Sequence, residues 1–168
     1  MTIPKILAPA GDTTSFLAAI AADADAVYCG LKIFSARMEA DNFSVDELAR
    51  LTCLAKSRGI QVYVALNSMI KEDELEKVSG ILGKLCRFVD PDALIIQDLS
   101  LAPLARAAGF KGALHLSTLG NCTFPAGLAT AAKLDFTRVV LPREFTIDEI
   151  KAMAAHFGKM KFVPAKQG

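Results

Sequence analysis

The sequence lacks several of the patterns that mark common chemistries. It has four cysteines, Cys29, Cys53, Cys86 and Cys122, and no two stand at CxxC spacing. A zinc or iron–sulfur knuckle is therefore not expected, and no metal site is assigned. No apolar run approaches the roughly 18 residues that span a bilayer. The N-terminal Met1-Thr2-Ile3-Pro4-Lys5 has no charged leader ahead of an apolar segment, so it does not read as a signal peptide. These absences predict a cytoplasmic protein with no membrane partner. Net charge is only +1, which gives no bulk attraction to nucleic acid or anionic lipid and leaves a local basic patch open. No Gly-x-Gly-x-x-Gly, P-loop or Gly-x-Ser-x-Gly is present. Neither a Ser–His–Asp order nor a catalytic Cys–His pair is visible. No linker or low-complexity stretch divides the chain.

What is present is apolar material in short, regular runs. Hydrophobic residues make up 52% and charged residues 22% of 168, enough for one packed domain. Strands are expected at Ile6–Ala8, Ala26–Cys29, Gln61–Leu66, Ala93–Gln97, Ala113–Leu116, Arg138–Leu141 and Lys161–Val163. They are short and bounded by Gly, Pro, Asn or Asp, as buried parallel strands are. Helices fill the intervals. Asp12 caps the first, which runs to about Ala22. Ser44 opens the second with Glu47 three residues on, and Thr146 opens the sixth with Glu149 likewise; both are capping boxes. The others are expected over Glu72–Leu85, Ser100–Ala108 and Pro125–Lys133. Cys53 and Cys86 fall within helical patterns and read as small buried apolar residues. Cys29 and Cys122 fall at strand ends or loops.

Six strand–helix pairs and a seventh strand fit either a doubly wound sheet or a TIM-type (β/α)₈ barrel. On the fifth strand, Ala113, His115 and Ser117 share one face and Leu114 and Leu116 the other. Polar inside and apolar outside favours the barrel. The expected fold is thus α/β, an incomplete barrel of about six βα units plus a strand, filling residues 1–168 as one partial domain.

In both folds the chemistry lies beyond the C-terminal strand ends. Those positions carry Asp12; Lys32, Ser35, Arg37, Glu39, Asp41 and Asn42; Asn67 and Ser68; Gln97 and Asp98; His115, Ser117, Thr118 and Asn121; and Arg143 with Glu144. Polar groups converging on one rim suit a small-molecule or substrate site. His115 is the candidate proton-transfer residue. Glu144, beside Arg143, is expected to be ionised and to serve as a base or substrate contact. Asn42, Asn67, Gln97, Ser117, Asn121 and Arg143 are the candidate substrate-binding residues. Asp12 and Ser44 read as caps, and His156 as a C-terminal helix residue favoured by the dipole. The Ala8-Pro9-Ala10-Gly11 turn, before a helix N-terminus, is a weak anion-binding signal.

Eight ordered segments carry a family resemblance. They are Leu7-Ala8-Pro9-Ala10-Gly11, Ala24-Asp25-Ala26-Val27-Tyr28, Ser35-Ala36-Arg37, Asp41-Asn42-Phe43-Ser44, Val62-Tyr63-Val64-Ala65-Leu66-Asn67, Gln97-Asp98-Leu99, His115-Leu116-Ser117-Thr118 and Arg138-Val139-Val140-Leu141-Pro142-Arg143-Glu144. In them the chain resembles peptidase family U32, the collagenase-like peptidases, from residue 4 to about residue 150. The resemblance implies a barrel and an enzyme, labelled a protease or hydrolase. It also implies a branch acting in hydroxylation of transfer or ribosomal RNA or of ubiquinone, where several members carry an iron–sulfur cluster. The family's seventh strand leads into a His-Gly-Ala turn and a cysteine-rich segment. Here Lys161-Phe162-Val163 is followed by Pro164-Ala165-Lys166-Gln167-Gly168. The chain thus reads as truncated, possessing no cluster cysteines of its own, so no iron–sulfur cofactor is expected. With its first and seventh strands open, it is expected to form a homo-oligomer or to take a partner that completes the barrel. Peptide hydrolysis stands first. An RNA or quinone hydroxylation fragment and a non-catalytic binding module are the alternatives.

Overall fold

The computed structural model describes residues 5–36, 40–156 and 161–164, with the backbone alone at residues 156 and 161–164. Strands and helices alternate from end to end: β1 (Leu7–Ala10), α1 (Thr13–Ala21), β2 (Ala26–Gly30), α2 (Val45–Ser57), β3 (Gln61–Leu66), α3 (Leu75–Lys84), β4 (Ala93–Ile96), α4 (Leu101–Ala107), β5 (Ala113–Leu116), α5 (Pro125–Lys133), β6 (Phe136–Leu141), α6 (Ile147–His156) and β7 (Lys161–Pro164). The strands form one parallel sheet in the order β1-β2-β3-β4-β5-β6-β7. Each strand pairs with the next in sequence, so the order never reverses. A doubly wound sheet requires a reversal at its switch point; a barrel wall does not. Among the described residues β1 does not pair with β7, and the barrel is open there.

The two faces of the sheet differ. Val27, Val62, Val64, Leu94, Ile96, Leu114, Leu116, Val139 and Leu141 point outward into the main core. There they meet Phe16 and Ile20 of α1, Leu48 and Leu51 of α2, Val78 and Leu82 of α3, Leu101 of α4 and Leu128 of α5. Each fully buried large side chain contributes about 1.5–3 kcal/mol, and Phe16, Phe43, Leu48, Leu82 and Leu114 are among those less than 2% exposed. Phe16 and Phe43 add an edge-to-face pair at 5.8 Å. The inner face carries a second cluster: Ala26, Tyr63 and Ala93, with Leu7, Tyr28, Ile95 and Ala113 against it.

The caps form as the residue types require. The Asp12 carboxylate accepts the Ser15 N–H at 2.7 Å. Glu47 reaches back to the Ser44 N–H at 2.8 Å, and Glu149 to that of Thr146 at 2.8 Å. The helix expected over Glu72–Leu85 is instead three pieces. A 3₁₀ turn over Glu72–Glu74 precedes α3, and a π turn over Leu85–Val89 follows it. The wide last turn buries both Leu85 and Val89 and ends at Asp90 in the left-handed region. The Lys56 ammonium holds the Asp90 carboxylate at 2.7 Å.

Candidate functional site

The loop after β2 folds back over that strand's end. Phe43 N–H donates to the Gly30 carbonyl at 3.1 Å, and Lys32 N–H to the Phe43 carbonyl at 3.0 Å. Asn42 adopts φ +50°, which its short polar side chain tolerates. Its N–H donates to the Gly11 carbonyl at 2.8 Å, tying this loop to the end of β1. Asn42 and Ser35 are both buried. Asn67, the residue after β3, accepts the Ala36 N–H on Oδ1 at 3.1 Å. Between these groups lies a cleft of about 50 Å³, lined by Ala10, Gly11, Tyr28, Gly30, Asn42 and Asn67 among others. Among the described residues the ionisable groups that line it are the Tyr28 phenol and the Cys29 thiol. Burial pushes that thiol up to about 12, so Cys29 is not a nucleophile at neutral pH.

His115 lies on the inner face of β5 and is 4% exposed. Its ring meets Tyr63 edge-on at 4.9 Å. Tyr63 reaches it across β4, because Ala93 and Ala113, in register with Tyr63, are too small to fill that space. The Tyr63 hydroxyl donates to Gln61 Oε1 at 2.9 Å. Arg138 of β6 stands in register with His115, and its guanidinium lies 5.5 Å from the centre of the Tyr63 ring.

The remaining candidates sit along the rim. Ser117 N–H donates to the Ile96 carbonyl at 2.7 Å, and its buried hydroxyl accepts the Leu119 N–H at 3.3 Å. Ser117 thus caps the one-turn 3₁₀ helix over Thr118–Gly120. Gln97 is half-buried, with its backbone carbonyl beside Gly120 of that turn. Asn121 ends the turn at φ +47° and is exposed. Arg143 and Glu144 occupy an exposed turn after β6, and no ion pair joins them among the described residues. Asp98 accepts the Ser100 N–H at 2.9 Å and acts as a local turn anchor. Arg37 and Glu39 lie outside the described residues, as does the side chain of His156. The fold therefore gathers Asn42 with Asn67 at one cleft, and His115 inside the barrel. Glu144, Arg143 and Asn121 stand exposed at the rim beyond β5 and β6. Sequence reasoning missed Tyr63 and Arg138 as neighbours of His115; alternation with the outward Val62 and Val64 marks Tyr63 as inward, whereas the irregular register of β6 hides Arg138. Among the described residues no cluster of three His, Cys, Asp or Glu side chains forms a metal site.

A parallel barrel wall with its polar groups at the C-terminal rim has close counterparts. The model of peptidase family U32 matches residues 11–162. The chain belongs to peptidase family U32. It is 35% identical over 161 residues to an uncharacterized protease of Methanocaldococcus jannaschii, covering 96% of this chain and 39% of that protein. It is 34% identical over 149 residues to the 23S rRNA 5-hydroxycytidine synthase of Escherichia coli, covering 89% of this chain and 22% of that protein. The chain thus spans well under half the length of these relatives. A solved U32 peptidase superimposes with a TM-score of 0.78 at 12% identity, over 98% of this chain and 69% of that one. That likeness concerns the fold. Among the described residues no helix is long and apolar enough to cross a membrane.

Proposed function

We propose that this U32 chain is the substrate-binding barrel portion of an RNA-modifying enzyme. Its rim amides hold the edge of a base, and His115 transfers a proton. The observation that carries the reading is the cleft between Asn42, Asn67 and Gly30. It is small and is lined by backbone groups and by the side-chain amides of Asn42 and Asn67. A site of about 50 Å³ takes one functional group, such as a carbonyl or an exocyclic amine, rather than a whole ring. Side-chain amides matched to base edges are a regular device of single-stranded RNA recognition, with aromatic rings for stacking. Tyr63 and His115 stand at the neighbouring interior. The 34% identity to the ribosomal RNA hydroxycytidine synthase supports this choice of substrate.

Peptide hydrolysis is the second reading, favoured by the 35% identity to the archaeal protease. The same cleft suits a peptide carbonyl. The hydroxyl of Ser117 is occupied as a cap acceptor, and the buried Cys29 thiol is held neutral. On this reading, the attacking group must be a water activated elsewhere on the rim. Nucleoside analysis of RNA from cells with and without the gene tests the choice. Loss of a modified nucleoside, restored by the wild type and not by His115→Ala or Asn67→Ala, is the expected result. Unchanged nucleosides with gelatin cleavage by the purified protein would replace RNA by peptide.

A further inference from the structure

Arg138 reaches the barrel interior through an irregularity in the sheet. Leu114 pairs with Phe136, but His115 pairs with Arg138, so Thr137 is an extra residue in β6. In a regular strand Phe136 and Arg138 would share a face. Here Phe136 packs outward in the main core while Arg138 lies against the inward-facing Tyr63. Bulges of this kind re-aim a side chain and are common beside active sites.

Among the described residues the re-aimed guanidinium meets no counter-charge. Its Nε is buried without a hydrogen-bond partner. Strands β1 to β6 contain no Asp or Glu. The contact made is with the face of Tyr63, which attracts a cation weakly. Beyond it, the register places Lys161 of β7 next to Arg138. A buried guanidinium N–H with no acceptor costs stability unless something pairs with it. Arg106, in the last turn of α4, shows the contrast. It donates to the Asp135 carboxylate at 2.6 Å and to the carbonyls of Phe110 and Gly112 at 2.8 Å.

We infer that Arg138, with Tyr63 and His115 beside it, forms an oxyanion-binding site inside the barrel that takes the carboxylate or phosphate group of a small ligand. A guanidinium presents parallel N–H donors that match either group. Arg138 is only part-buried, so a solute reaches it. The inference does not depend on whether RNA or peptide is the substrate.

The chain has no tryptophan and two tyrosines. Tyr28→Phe therefore leaves Tyr63 as the sole strong fluorophore, directly against the site. Inorganic phosphate and malonate are titrated separately into this variant at matched ionic strength, with chloride as the control. A saturable change in tyrosine emission with phosphate, malonate or both is expected, and which one saturates identifies the source. Affinity should fall at least tenfold in Tyr28→Phe with Arg138→Gln. Arg138→Gln should also keep or raise the ligand-free melting midpoint, because it removes an unpaired charge. No response beyond chloride, equal affinity without Arg138, or a lower midpoint in Arg138→Gln would each overturn the inference.

Discussion

The substitution of Gly30 by alanine ties the candidate cleft to measurable stability. Gly30 ends β2 where the following loop folds back on it. A methyl group there would overlap Ser35 Oγ and stand 2.8 Å from Asn42 Oδ1 and 3.0 Å from Ser35 Cβ. Ser35 and Asn42 are 4% and 7% exposed, so neither side chain swings freely into solvent. Relief must come from the loop backbone, which the Asn42 N–H bond to the Gly11 carbonyl resists. Overpacking of this kind costs about 1–3 kcal/mol. For a domain of this size that lowers the melting midpoint by about 2–12 °C. Gly80 in α3 provides the control, since nothing lies within 4 Å of its added methyl. Gly80→Ala should stabilise the protein by up to about 1 kcal/mol through helix propensity and a less free unfolded chain. Paired urea melts of the two variants give the comparison. Equal effects, or a Gly30→Ala protein as stable as wild type, would refute the packing of the loop on Gly30 and the cleft built from it.

Other consequences are read by simple assays. Leu114→Ala, in the core between sheet and helices, should cost about 2–5 kcal/mol in denaturant unfolding, and a cost below 1 would place Leu114 elsewhere. The Ser44 hydroxyl and N–H, with Lys32, hold the Glu47 carboxyl down at about 2. Its contribution is present above the unfolded value of about 4.5 and is lost as pH falls toward 2. Glu47→Gln should therefore flatten the stability profile across that acid range and leave its neutral shape intact. Exposed Cys53 should react with a thiol reagent in native protein, whereas Cys29 should react only after unfolding; early modification of Cys29 would contradict its burial. The unpaired edges of β1 and β7 predict self-association of the 168-residue polypeptide, and a clean monomer by light scattering would count against it.

Much of this architecture was legible because its signals are local. Pro125 at the first helical position and Lys133 at the last bracket α5 as read from the sequence. The capping boxes at Ser44 and Thr146 also mark true helix starts. The inward face of His115 followed from the two-residue period of Ala113–Leu116. Two features were hidden. The π turn at Leu85–Val89 changes helical pitch with no Gly or Pro inside it. The bulge at Thr137 reverses the parity of β6, so alternation alone assigns Arg138 to the same face as Phe136. The Tyr63–His115 contact skips a strand, and no sequence spacing encodes it. The rim residues at strand ends were found because position in a βα unit implies exposure at one end. Their grouping into the Asn42–Asn67 cleft depends on a loop fold-back that the sequence does not display.

The most direct test of the functional account is mass-spectrometric comparison of ribosomal and transfer RNA nucleosides from cells with the gene, without it, and complemented by His115→Ala. The account expects one modified nucleoside to disappear with the gene, to return with wild type, and to stay absent with His115→Ala. An identical nucleoside profile in all three would contradict it.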